Sequence, residues 1–149
     1  KRFEPDDFAA FLKLLPASVD GMKLRHVMDV RHESFMTPAY LALARKHKVA
    51  TVFADSDEYP SFADLTGDFV YGRLMRTEAG LETGYEPAAL DAWTRRARRW
   101  ADGGEPDDLP RVEAAKASAW PRDVFLFFIS GAKERAPAAA MALLERLRG

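Results

Sequence analysis

Four short apolar runs, separated by segments with helical periodicity, most constrain what this chain can fold into. The runs are Leu24–Val30, Val49–Ala54, Phe69–Met75 and Asp123–Ile129. Val49–Ala54 is β-branched, almost continuously apolar and bounded by charge, as is typical of a strand buried on both faces. Strands that alternate with helices are joined by right-handed crossovers and lie parallel. The sequence therefore predicts an α/β fold with parallel strands, either as an open sheet or as half of a TIM-barrel-like (β/α)8 fold.

The segments between these runs follow the period of a helix with one buried face. The first ends before Pro16, and the second begins at Thr37 with a proline in its first turn. A third helix is predicted over Glu86–Ala101, and an Ala-rich helix ends the chain. The side chains expected to face the core are Phe8, Phe11, Leu12 and Leu15 in the first helix, Trp93 and Trp100 in the third, and Met141, Leu144 and Leu147 in the last.

The length of 149 residues suits one domain and is too short for two ordinary ones. We expect that domain to span 1–149, with 102–122 as a loop insertion in which 111–119 form a short helix. The chain opens at Lys1, without a Met and in the middle of a pattern. This start predicts a fragment of a longer protein.

Charge and composition exclude several function classes. The net charge of −1 provides no global field that would attract nucleic acid or an anionic membrane. Cys is absent, which excludes disulfides, a thiolate nucleophile and Cys-based metal sites. Asn and Gln are absent too, so no side-chain amide can form hydrogen bonds with a ligand. No apolar run reaches about 18 residues and no signal peptide is present, which predicts a soluble, cytoplasmic chain without a membrane segment.

The basic run Arg95–Arg99 in the third helix has two interpretations. Clustered arginines beside tryptophans suggest a phosphate-binding patch on a nucleic-acid binder. Helical geometry instead puts Trp93 and Trp100 on the buried stripe and the arginines on the opposite face, near the helix C-terminus where positive charge is stabilised. A solvated face is therefore the favoured interpretation, and nucleic acid is disfavoured as a partner.

Polar residues follow all four predicted strands, where parallel α/β folds place their ligand sites. Period-two alternation places Asp29 and Arg31 on one face, and Tyr71 and Arg73 on one face of another strand. Guanidinium groups inside apolar strands need a partner, and the nearest carboxylates in the sequence are Asp29 and Asp55. The pattern fits an anion site, because Arg holds carboxylate or phosphate through two hydrogen bonds. It fits equally an internal Arg–Asp network that only orders the end of the sheet.

His32 is the candidate general base, with Asp55 or Asp29 orienting it. The alternative is a hydrogen-bonded histidine that fixes the exit of the strand. A metal site from these three residues has no ligand spacing behind it, so no metal is expected. No phosphate-cradling glycine loop or nucleophile elbow occurs, and the sequence identifies no cofactor.

Five segments in order resemble the YecE-like family, which is catalogued as domain of unknown function 72. They are MDVRHESF (28–35), VATVFADS (49–56), DFVYGRLM (68–75), Tyr85 followed by a helix with Trp93, and DVFLFF (123–128) before an Ala-rich helix. The opening segment 2–16 also resembles the helix that precedes the family's fifth strand. The resemblance implies a TIM-barrel-like fold of which this chain is the carboxyl-terminal half. It implies no reaction.

The family's motifs are only partly retained. Its Glu-x-Arg-His falls on Asp29, Arg31 and His32, and its Ala-Asp-Ser is intact at 54–56. The resemblance also carries over Tyr71 and Arg73 but places Met75 and Arg76 where the family has His and Gly. The family's amide-rich strand end becomes Phe-Phe-Ile-Ser-Gly at 127–131, and Ala139 replaces an Asn. The charged half of the pattern is present and the His and amide half is lost, which implies altered chemistry or a member that binds without catalysing.

The resulting hypothesis is a site for a small anionic or phosphorylated ligand at the carboxyl ends of the strands. Its acid–base candidates are His32 and Asp55, and its ligand-binding candidates are Asp29, Arg31, Tyr71, Arg73 and Ser130. The rival hypothesis is a non-catalytic ligand-binding or scaffold member with a structural Arg–Asp network. The expected partners are the small anion and, at the open sheet edges, either the amino-terminal half of the barrel or a second copy of the chain.

Overall fold

A four-stranded parallel sheet forms the centre of the computed structural model, which describes residues 1–115 and 120–149. Its strands lie side by side in chain order: β3 (Val27–Met28), β4 (Ala50–Asp55), β5 (Val70–Leu74) and β6 (Val124–Phe128). All three neighbouring pairs are parallel. The predicted α/β fold with parallel strands and helical crossovers is thus confirmed. That the sheet is half of a barrel stays a prediction.

The first predicted strand is much shorter than expected. Only Val27–Met28 pairs with β4, because Leu24 is instead held by a hydrogen bond from its N–H to the carbonyl of Ala17. That bond continues a small antiparallel hairpin of β1 (Ser18–Val19) and β2 (Met22–Lys23), which the sequence analysis did not predict. Asp20 and Gly21 turn the hairpin with φ of 49° and 78°, the left-handed geometry that an Asp-Gly pair favours.

Four α-helices cross over or flank the strands: α1 (Pro5–Lys13), α2 (Pro38–Lys46), α3 (Pro87–Ala101) and α4 (Ala136–Arg148). A proline stands in the first turn of each, where no backbone N–H is needed. Thr37 caps α2 as its side-chain oxygen accepts a hydrogen bond from the N–H of Tyr40. None of the helices among the described residues is long and apolar enough to cross a membrane.

The helices α3 and α4 cover one face of the sheet with the larger core cluster. Trp93 and Trp100 are buried there, as predicted, and Arg95 and Arg99 are exposed. Arg96 is not exposed as expected, because its guanidinium lies 4.5 Å from the Trp93 ring and bonds to a carboxylate in the following loop. A second core cluster joins α2 to aromatic side chains from the start of the chain.

The phase predicted for the last helix is wrong. Met141 and Leu144 are 62% and 52% exposed, whereas Ala139, Ala142 and Leu143 face the core. The small alanines let α4 lie close against α3 and the sheet, so the helix presents its narrow face and not its bulkiest one. Of the three predicted core residues, Leu147 alone packs against the cluster.

The predicted loop insertion is anchored by buried charge in the parts that the structure describes. The carboxylate of Asp64 accepts hydrogen bonds from the N–H groups of Val112 and Glu113, both 2.8 Å. Arg122 donates to the carbonyls of Gly103 and Gly104. Residues 111–115 are not helical, and the rest of the short helix predicted over 111–119 lies outside the described residues.

Candidate functional site

The sheet register divides the predicted site residues between two faces. Ala54, Arg73 and Phe127 stand side by side in one row, and the next row of Asp55, Leu74 and Phe128 points to the opposite face. The second row faces α3 and α4. The first lies on the face that these helices leave uncovered, which we call the open face.

Asp29, Arg31 and Arg73 meet on the open face and form what we call the Asp29 cluster. Arg73 donates to Oδ2 of Asp29 at 2.5 Å, and Arg31 donates to the same oxygen at 2.9 Å. The side chain of Arg73 is 18% exposed and that of Asp29 is 33% exposed. Two guanidiniums therefore share one carboxylate, and the cluster keeps a net charge of +1.

Tyr59 completes the surroundings of Arg31. The guanidinium carbon lies 4.8 Å from the centre of the Tyr59 ring, within reach of a cation–π interaction. The hydrogen bond and the charge of Asp29 raise the pKa of Arg31 above its ordinary value. Arg31 is thus held as a cation between a carboxylate and an aromatic ring.

Asp55 belongs to a different set of contacts, the Asp55 cluster of Asp55, Asp57, Arg76 and Tyr85. Arg76 bonds to Oδ1 of Asp55 at 2.9 Å and to Oδ2 of Asp57 at 2.8 Å. The Tyr85 hydroxyl accepts the backbone N–H of Arg76 at 2.9 Å and donates to Asp55 at 3.4 Å. Of the two carboxylates expected to neutralise Arg31 and Arg73, Asp29 pairs with both. Asp55 instead pairs with Arg76, because it lies in the strand row that faces the helices.

Burial dominates the electrostatics of the Asp55 cluster. It raises the pKa of Asp55 above the ordinary value for an aspartate, although the charge and hydrogen bond of Arg76 act in the opposite direction. Burial also raises the pKa of Tyr85. Tyr85 therefore stays a neutral hydroxyl that can both accept from the backbone and donate to Asp55.

His32 makes a local contact at the exit of β3. Its Nδ1 accepts the backbone N–H of Ser34 at 3.1 Å and lies 2.9 Å from the Ser34 hydroxyl. This caps the short 3-10 helix Glu33–Phe35. Neither Asp29 nor Asp55 is among the hydrogen-bond partners that the described part of the chain gives His32, so the expected orienting carboxylate is not in place. Its role as a base stays a prediction.

Tyr71 and Ser130 are not partners in the hydrogen bonds that join Asp29, Arg31 and Arg73. The Tyr71 ring stacks on Phe127 with 4.8 Å between ring centres. Ser130 follows β6 in a left-handed conformation with φ of 62°, and its carbonyl accepts a hydrogen bond from the Thr77 hydroxyl. The ligand-binding roles of both residues stay predictions.

Three side chains that shape this edge of the sheet were not predicted from the sequence: Arg76, Tyr85 as a hydrogen-bonding group, and Tyr59. Arg76 is the second residue after β5 and stands where the resembled family has Gly, so its position among charged strand ends was an available signal. Tyr59 lies in a loop with no pattern, and no sequence signal pointed to it.

A cavity of about 750 Å³ opens beside the Asp29 cluster, between α1 and the edge of β3. Phe8, Phe11 and Leu14 line its apolar part. Its charged lining consists of Asp29 and Arg31 together with Lys1, Arg2, Glu4 and Asp7 from the start of the chain. This volume is typical of a small-molecule site. Among the described residues, no three His, Asp or Glu side chains gather as a metal site.

Two solved structures share this fold. A DUF72 family protein from Enterococcus faecalis superposes with a TM-score of 0.59 at 12% identity, over 97% of this chain and 53% of that one. One from Thermotoga maritima superposes with a TM-score of 0.58 at 14% identity, over 99% of this chain and 52% of that one. The chain thus spans about half the length of these relatives. A search of curated proteins gave no match.

The likeness to these two structures shows the fold, and the family follows from the sequence itself. The family model described as "Protein of unknown function DUF72" matches residues 1–149. The chain therefore belongs to the DUF72 family.

Proposed function

We propose that the Asp29 cluster binds a small anionic ligand at the carboxyl ends of the parallel strands. The observation that carries this proposal is that Arg31 and Arg73 share a single carboxylate oxygen, which leaves one positive charge unbalanced. Guanidinium groups match phosphate or carboxylate oxygens through paired N–H donors, although in this structure Nε–H and Nη2–H of Arg31 both point to Oδ2 of Asp29. The cavity beside Asp29 and Arg31 supplies room for such a ligand.

A second candidate is a purely structural Arg–Asp network in a non-catalytic member of the family. The closed pairs at 2.5 and 2.9 Å favour it, because an anion would have to share or displace Asp29. The Asp55 cluster favours it as well, since Arg76 occupies the carboxylate that was the acid–base candidate. His32 and Asp55 are retained as proposed acid–base groups only within the first candidate.

The mutant Asp29→Asn separates the two candidates in a titration with inorganic phosphate followed by melting temperature. If the cluster binds anions, removal of the internal competitor raises the affinity for phosphate, and the melting temperature climbs with phosphate concentration. Arg73→Gln is expected to lose that dependence. Arg76→Gln, a guanidinium removed from the neighbouring cluster, serves as the matched control and keeps it.

A different result would assign the cluster to structure alone. Asp29→Asn would then melt at a lower temperature than the parent protein, and phosphate would have no effect on any of the variants. That outcome would leave the fold unchanged and remove the proposed anion site.

We propose in addition that the sheet forms half of a TIM-barrel-like domain. Its support is the pair of open edges at β3 and β6 and the twofold greater length of the solved relatives. The covering partner is either the remaining half of such a barrel or a second copy of this chain.

A further inference from the structure

Aromatic side chains form a platform on the open face next to the Asp29 cluster. Tyr71 and Phe127 stack with an angle of 28° between their rings. Phe127 lies on the edge strand β6 and is 42% exposed. Exposure of a large apolar ring to water on the open face is unfavourable. The Tyr71 and Phe127 rings are therefore available to stack with a further planar group.

The platform is in register with the cationic cluster. Phe127 is the direct neighbour of Arg73 across the β5–β6 ladder, and Tyr71 is two residues before Arg73 on the same face. Neighbouring strands lie about 4.8 Å apart, so a single small molecule can reach both the rings and the guanidinium.

We propose that the ligand of this site is an aromatic anion, with its charged group on Arg31 and Arg73 and its ring on the Tyr71–Phe127 platform. The inference rests on the proposed anion site and specifies its ligand class. Its basis is charge complementarity on one side and stacking on the other. The Arg73 guanidinium and the rings of Tyr71 and Phe127 lie on the same face of the sheet, within one to two residue positions of each other.

Two simple phosphate esters test the proposal directly. Phenyl phosphate and methyl phosphate carry the same charged group and differ in the ring. Isothermal titration of the full chain is expected to show phenyl phosphate binding about tenfold more tightly, the gain that a well-placed aromatic contact supplies. Phe127→Leu keeps an apolar side chain and is expected to remove this preference, while the affinity for methyl phosphate stays unchanged.

Two further variants guard against a folding artefact. Phe127→Tyr retains the ring and is expected to retain the preference. Phe125→Leu removes a ring from the same strand two rows nearer the amino end, where Phe125 is the ladder neighbour of Tyr71 but its ring contacts Phe69 and Arg25. It is expected to bind both esters like the parent chain. A preference that survives in Phe127→Leu would overturn the proposal, because the ring would then sit elsewhere.

The remaining outcomes separate this inference from the proposed function. Equal binding of the two esters would overturn the aromatic ligand and leave the anion site standing. Binding of neither ester would overturn both. If the chain self-associates in sedimentation and Phe127→Leu abolishes that association without any ester preference, a second copy covers the platform, and the aromatic ligand is again overturned.

Discussion

Asp29 holds two guanidiniums with one oxygen atom, which makes it the residue whose loss should disturb the site most. Asp29→Asn leaves Arg31 and Arg73 without a counter-charge, and Arg73 is largely shielded from water. We expect the free energy of unfolding to fall by about 1–3 kcal/mol, between the values for exposed and buried pairs. Urea unfolding measures this loss. Asp57→Asn is the control, because the Asp57 side chain is 84% exposed, and an equal loss there would contradict the central role of Asp29.

The Asp55 cluster predicts a pH-dependent effect of Arg76. Burial holds the folded-state pKa of Asp55 above the ordinary 3.8, so the ionised carboxylate destabilises the fold at neutral pH, and Arg76 offsets part of that cost. Arg76→Gln should therefore lower the free energy of unfolding at pH 7, by up to about 1 kcal/mol for such a half-exposed pair. As the pH falls through the folded-state pKa and below 3.8, Asp55 is protonated in both states and the difference should disappear.

Unfolding curves of the parent chain and Arg76→Gln at pH 7 and pH 3 provide the measurement. Arg95→Gln, at an exposed position on α3, is the matched arginine control and should differ little from the parent at either pH. A loss in Arg76→Gln that is the same at both pH values would mean that Arg76 does not act through a titrating carboxylate.

The sequence predicted part of the residue-scale arrangement. Period-two alternation correctly placed Tyr71 and Arg73 on one face of β5, because side-chain direction in a strand follows from residue parity. Asp29 and Arg31 also meet, as expected, but through a hydrogen bond beyond the end of β3. Parity also puts Asp55 and Ala54 on opposite faces of β4. Which of these faces is covered by helices depends on the register between β4 and β5, and tertiary packing sets that register. The Arg73–Asp55 pairing failed for that reason.

At the scale of single elements, the buried face of α3 could be predicted from the helical spacing of its apolar residues. Trp93, Ala97 and Trp100 recur at helical spacing and are buried against the sheet. Trp100→Ala should lower the free energy of unfolding by about 3–5 kcal/mol, the usual cost of a large cavity. Arg95→Ala should cost less than about 0.5 kcal/mol. Comparable losses in chemical denaturation would mean that the assigned helix face is wrong.

Other elements were less predictable, each for its own physical reason. Strands β4 to β6 begin and end within one residue of their apolar runs. β3 is shorter than its apolar run because Leu24 is bonded to Ala17 at the end of the β1–β2 hairpin, a local contact that hydropathy does not reveal. In α4 the alanines face the core, and a rule that assigns the bulkiest apolar side chains to the interior selects the wrong face.

At the scale of the whole molecule, the open edges of the sheet bear on whether the chain associates with another chain in solution. Among the strands formed by residues 1–115 and 120–149, β3 and β6 each have one neighbouring strand. On β6, Asp123 accepts from Val70 and Ile129 donates to Leu74, so the alternate residues such as Val124 direct their N–H and C=O groups away from β5. An edge with unpaired backbone groups next to exposed aromatic rings is prone to pair with another strand.

We therefore expect the 149-residue chain on its own to self-associate through β6, with a sedimentation coefficient that rises with protein concentration. Val124→Pro removes the outward N–H of the edge without removing a bond to β5, and it should shift the chain toward monomer. Val124→Ala loses a similar amount of side chain but keeps that N–H, so it should associate like the parent. If both variants and the parent sediment as monomers at every concentration, the β6 edge is not a pairing surface, and the proposal that a second copy or a missing half-barrel completes the sheet loses its support at this edge.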